Sequence, residues 1–420
     1  MNIKIRISES NICFERKCLM WIMVLGPILR IYASPIPGIN YFELFAFMCL
    51  IIDILKYQQI AVVSIKNPIC IFVLFSFIYT MGILCCSLFF NLPFSIIEFL
   101  KRFLRWAFYS FLIGWFASVM DFKYAKKCFI KVACVVCLLL FIQLIIFYTT
   151  HSIVSFKIPG LPISGNEIMV NRQMDIAESH VFRAYSVFLE PAHFAYFVAP
   201  ALAVELLLED KRNYLVAIFL TIGLLFCSSS TGILLSAIIW IFYMIYVYAY
   251  EKKMKFKPRY LLFLILFILG VYWASNLSFV QYGLDKLFIG DGSHEIAKTS
   301  RLYGHMKYVD RLDLIQKIFG IGIGNEEFFF LKQFNVKVEY MNTWGYLLIN
   351  IGYIGLIIFI LMYSKLFFNV SVRYRIFIFT FIGCTISSGI LFSSNAILFL
   401  VWPIYDLKSK IIKDKRLNKL

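Results

Sequence analysis

The run FRAYSVFLEPAHFAYF, from Phe182 to Phe197, sets Arg183, Glu190 and His193 into an otherwise apolar stretch. Ionisable groups at membrane depth cost at least about 2.5–3.5 kcal/mol each on insertion scales, so chains keep them where a bundle interior or a water-filled cavity uses them. Arginine offers a bidentate fork to an anion and cannot usefully give up its proton. A carboxylate or an imidazole can take one from a hydroxyl. The chemistry open to this trio is therefore anion binding beside a proton acceptor, with Glu190 ahead of His193. Burial raises a carboxylate toward the neutral range, while a neighbouring arginine keeps part of it ionised.

Two geometries fit the spacing. On one continuous helix Arg183, Ser186, Glu190 and His193 fall at i, i+3, i+7 and i+10 and share one face. Pro191 removes a backbone hydrogen bond from a helix interior but suits a first helical position. A helix starting at Glu190 would put Arg183 on the incoming loop and leave free N–H groups near Glu190 that favour an anion. The bland alternative is a kinked helix in which Arg183 and Glu190 satisfy only each other.

Other candidates lie further along. Glu98, Lys101, Arg102 and Arg105 line the start of an apolar segment at i, i+3 and i+4 spacings, either as a cationic face for phosphate or as side chains that snorkel to an interface. From Ser300, SRLYGHMKYVDRLDLIQK reads as a helix capped by Ser300, with Leu302, Met306, Val309, Leu312 and Ile315 as its apolar stripe and Arg301, His305 and Tyr308 as a second stripe. FGIGIGNEE follows; without strand-turn-helix context it reads as a structural turn rather than a phosphate loop. Ser186, Ser228 and Ser229 sit in no GxSxG elbow and read as helix caps or bridges. Arg30, in the first span, reads as a buried structural partner or an interface residue, and Asp53 and Lys131 as structural residues at span ends.

The elements that position these residues are membrane helices. Hydrophobic residues make up 61% of the 420, aromatic residues 18%, and the mean hydropathy is +0.81. That defines an all-α, polytopic integral membrane protein. Twelve apolar spans are expected: 18–34, 39–55, 67–90, 96–120, 128–149, 190–208, 213–228, 231–250, 260–277, 343–363, 374–389 and 394–405. They divide the chain into spans one to five (1–149), a loop (150–183), spans six to nine (184–277), a larger loop (278–342), spans ten to twelve (343–405) and a basic tail (406–420). The net charge of +17 collects in alternate connections and at both ends, as cytoplasmic loops require. The loop at 278–342 is balanced, and all five histidines fall on or near the outer face. The charge is thus topological and in contact with membrane lipids, which argues against nucleic acid. The eleven cysteines form no disulfide or zinc pattern. No metal site and no cofactor are expected.

RAYSVFLEPAHFA at 183–195, SSSTG at 228–232, Arg301 with the run to FGIGIGN at 319–325, and NTWGYLLINIGYIGLI at 342–357 together resemble one family. These are the bacterial O-antigen, capsular and exopolysaccharide repeat-unit polymerases, with the related O-antigen ligases. The resemblance covers the second half of the chain. It implies inverting, metal-independent glycosyl transfer between undecaprenyl-pyrophosphate-linked oligosaccharides on the outer face of the bacterial cytoplasmic membrane, beside a flippase and a chain-length regulator. Arg183 and Arg301 would hold the donor pyrophosphate, with Glu190 or His193 as base. Arg102, Arg105, His305, Tyr308, Glu339 and Asn342 would contact substrate. Ligases tend to carry His before the Asn of the last motif, whereas here Glu339, Tyr340 and Met341 precede Asn342; the difference favours a polymerase over a ligase. A flippase for the same lipids is the non-enzyme alternative.

Overall fold

The structure, a computed structural model, describes residues 14–57, 67–163, 182–209, 211–250, 303–338 and 341–417. The expected ninth span at 260–277, Arg301 and Glu339 lie outside the described residues. The other eleven expected spans are helices. They are α1 (Phe14–Leu29), α2 (Tyr41–Tyr57), α3 (Pro68–Phe89), α4 (Ile96–Val119), α5 (Phe122–Thr150), α6 (Pro191–Ala203), α7 (Tyr214–Phe226) and α8 (Ser230–Tyr250), then α12 (Thr343–Asn369), α13 (Val372–Ser387) and α14 (Ser394–Leu417). A π-helical turn, Val204–Leu208, extends α6. Among the described residues between α8 and α12, three short helices occur: α9 (Met306–Val309), α10 (Leu314–Phe319) and α11 (Glu326–Phe334).

Boundaries follow from side chains that satisfy the free N–H groups of a first turn. Asn67, Ser95, Asp121 and Asn342 each accept a backbone N–H at the start of α3, α4, α5 and α12. Five of the described helices, namely α3, α5, α6 with its π-turn, α8 and α12, are long and apolar enough to cross a membrane. Leu74, Ile78, Leu104, Ile145, Ile241 and Leu361 point outward and stay exposed, as they do on a surface solvated by lipid. The α14 helix runs well past the expected end of its span at 405, and Lys408 and Lys410 donate to the carbonyls of Ser118 (3.2 Å) and Asn369 (2.8 Å).

Long-range contacts sort the connections into two ends. At one end Ala33 N–H donates to Pro162 O (2.8 Å), Asn325 Nδ2 to Pro93 O (3.0 Å) and Thr343 N–H to Ser388 O (3.2 Å). At the other, Lys126 Nζ donates to Leu208 O (2.7 Å) and Ser371 N–H to Asp406 Oδ2 (2.6 Å). The first end carries the long connections and every candidate side chain described below.

Over residues 303–317, the described part of the single helix expected from Ser300 to Lys317, the run divides into α9 and α10. Asp313 is the reason: it accepts Gln316 N–H (2.8 Å) while its own N–H donates to Gln316 Oε1 (3.2 Å), a capping box that starts a new helix. The apolar stripe divides accordingly. Val309 and Leu312 are buried with Tyr308 in a small core of their own, whereas Ile315 is exposed.

Candidate functional site

FGIGIGN decides how this end is built. The α12 helix is broken at Gly352, whose φ of 63° an L side chain rarely adopts, and the break frees carbonyls normally spent inside a helix. Ile321 N–H and Gly322 N–H donate to Ile349 O (3.0 Å) and Asn350 O (2.9 Å) of the interrupted helix. Irregular backbone at membrane depth is tolerated where protein covers it and supplies the missing partners. The turn is also pinned to the start of α4, because Asn325 Oδ1 accepts Ser95 N–H (2.9 Å) and a Cβ on Gly324 would lie 2.7 Å from Glu98 O. FGIGIGN is thus a structural turn, and its work is to deliver the next residues, Glu326 and Glu327, against α4 and α12.

There they meet Arg102. A cavity of about 260 Å³ is lined by Arg102 and Trp106 of α4, Glu326 and Glu327 of α11, Tyr346 of α12, and Phe392 from the connection to α14, among others. Arg102 Nη2 stands 3.4 Å from Glu326 Oε1, and its guanidinium lies 5.3 Å from the centre of the Tyr346 ring. Tyr346 is fixed in turn by Gly324 N–H, which donates to its hydroxyl (3.1 Å). Trp106 packs on Phe392 at 4.4 Å and on Tyr346 at 5.8 Å between ring centres. The Glu326 side chain is only 5% exposed, and burial pushes its carboxyl above the usual carboxylate range despite the opposing pull of Arg102. Its second oxygen, Oε2, has no hydrogen-bond partner, although Asn350 is near enough to act on it.

Arg183, Glu190 and His193 take the second of the two geometries their spacing allows. Glu190 is the residue before the helix, with extended backbone (φ −142°, ψ 149°), and Pro191 occupies the first position of α6. Arg183 therefore sits on the incoming segment, where Nε donates to Ser228 O (3.4 Å). Ser186 is structural: its N–H donates to Gln143 Oε1 (2.7 Å) and its hydroxyl to Val136 O (2.7 Å). His193 and Glu190 are close enough to act on each other electrostatically, and Arg30 reaches both His193 and Tyr109 in the same way. From there contacts continue toward the cavity. Tyr109 Oη donates to Glu43 Oε1 (3.0 Å), Arg105 Nε lies 3.4 Å from the same oxygen, and Arg105 is one turn of α4 from Arg102.

The remaining expected contacts are dispersed. Asn342 caps α12 through Gly345 N–H (2.7 Å) and donates to Ile386 O (2.7 Å). His305 packs directly on Gly345, and burial pushes its imidazole below the usual value. Tyr308 meets Phe330 edge to face in the loop's own core. None of the three lines the cavity, and Arg105 borders it only through Arg102. Glu326, Glu327, Trp106 and Tyr346 were not legible as site residues. The one signal was a pair of acids directly after a glycine turn. Comparison of the chain with protein-family models, curated proteins and solved structures finds no match.

Proposed function

We propose that the protein is a membrane-embedded polymerase that transfers a growing glycan from undecaprenyl pyrophosphate to a lipid-linked oligosaccharide repeat unit. The observation that carries this reading is a cavity lined by Arg102 and a buried carboxylate, with Arg105 one turn of α4 away and Arg30 and Arg183 at the same end of an apolar helical bundle. In this reading the chain crosses the membrane twelve times, and the long-loop end faces outward. The acceptor hydroxyl attacks the first carbon of the donor glycan, and the bond from that carbon to the pyrophosphate oxygen breaks. Undecaprenyl pyrophosphate leaves with the bonding electrons. Arginines balance its charge by bidentate hydrogen bonds, which lowers the barrier without a metal. The acceptor proton passes to Glu190 or, in its stead, His193; His193 lies within electrostatic reach of both Glu190 and Arg30, which supports this reading.

The test is a strain lacking the gene, scored for glycan length and for the leaflet in which lipid-linked repeat units accumulate. A polymerase predicts short glycans with repeat units exposed on the outer leaflet. Repeat units trapped on the inner leaflet would indicate a flippase, and full-length glycan still attached to its carrier lipid a ligase.

A further inference from the structure

Among the described residues that line the cavity, carboxylates outnumber cations, since Glu326 and Glu327 stand with Arg102. A phosphate or uronate placed there would meet two carboxylates, and Arg102 is already engaged by Glu326 and the Tyr346 ring. The two carboxylates favour a ligand that brings hydrogen-bond donors. Glu326 is nine-tenths buried with an unpartnered oxygen, and a carboxylate can only accept unless it is protonated. Glu327, by contrast, is exposed and can be reached directly. Trp106, Tyr346 and Phe392 form a packed aromatic wall beside the acids. Hydroxyls converging on carboxylates while a C–H face lies on aromatic rings is the complement of a sugar ring. At about 260 Å³ the cavity falls below the roughly 300–1,000 Å³ of pockets for drug-sized ligands and suits a single ring.

We infer that this cavity is a subsite for one uncharged or amino-bearing sugar ring, held by Glu326 and Glu327 through its hydroxyls and by Trp106 and Phe392 through its apolar face. It rests on the proposed function for its place in the reaction, as the seat of the acceptor's terminal sugar. Pyrophosphate is left to the arginines outside it.

The experiment uses the full chain in lipid nanodiscs with 5-fluorotryptophan, the Trp106 resonance being assigned by its absence in Trp106→Phe. The probes are methyl glycosides of neutral hexoses and N-acetylhexosamines, methyl glucuronide and glucose 1-phosphate. At least one neutral glycoside is expected to shift the Trp106 resonance, and the two anionic probes to bind about tenfold more weakly or not at all. Glu327→Gln changes an exposed side chain and so leaves the fold intact. It is expected to weaken neutral binding about tenfold, the effect of losing a hydrogen bond to a charged acceptor. Tighter binding of an anionic probe, unchanged affinity in Glu327→Gln, or no response to any neutral glycoside would overturn the subsite. The two readings fail separately. Normal glycan polymerisation in cells with no glycoside binding would end the subsite alone, and glycoside binding with unaltered glycan in the deletion strain would end the polymerase alone.

Discussion

Glu326 shows how one buried carboxylate couples the site to stability. Burial raises its pKa above that of the unfolded chain, so the folded state holds the proton more tightly. The stability this contributes is present below the ordinary carboxylate value of about 4.3 and is lost as pH rises through the raised folded value. Wild-type protein in detergent should therefore lose thermal stability across that window. Glu326→Gln, which cannot ionise, should show a flatter dependence and gain on the wild type as pH rises. Parallel melting curves for the two proteins would show that Glu326 does not titrate in this way. Arg102 is expected to tolerate lysine poorly, because lysine keeps the charge but loses the planar fork that lies over Tyr346 and reaches Glu326. A polymer-length assay with membrane levels controlled would check this.

At the scale of elements, the glycines of α12 are the points of closest approach. A Cβ on Gly345 would overlap the His305 side chain, so Gly345→Ala should destabilise the loop by about 1–3 kcal/mol, the usual cost of overpacking. Protease sensitivity of the segment around α9 to α11 measures that loss. His305→Gly, which removes the Cβ as well as the ring, should rescue part of it, and failure to rescue would place the strain elsewhere. The same elements mark the boundary of what was legible beforehand. Apolar runs and the proline at a first position announced the described long helices, because burial is a local property, although α5 and α14 extend beyond the expected apolar spans into polar sequence. The start of α6 at Pro191 was one of two readings and needed tertiary context to choose. The division between α9 and α10 was hidden because the Asp313–Gln316 capping box competes with an apolar stripe that would otherwise have continued. The cavity was hidden for a deeper reason. It joins Trp106, Glu326 and Phe392, which meet only because a broken helix and a glycine turn share hydrogen bonds.

For the whole molecule, the two ends of the bundle make a topological prediction. A cysteine introduced at exposed Lys332, on the long-loop end, should react with an impermeant maleimide applied from outside, and one at exposed Lys211 should not. The reverse pattern would invert the protein in the membrane and remove the site from the face where the proposed lipid-linked substrates meet. The most direct measurement of the central claim is polymerisation by the purified chain in nanodiscs, supplied with undecaprenyl-pyrophosphate-linked repeat units and a chelator, with products resolved by gel. The expected result is a ladder of lengthening glycan that persists in chelator, falls steeply with Arg183→Lys and drops by about 100-fold or more with loss of the base in Glu190→Gln. Failure of the wild-type chain to extend the repeat units, or a ladder that forms only when magnesium or manganese is restored, would contradict it.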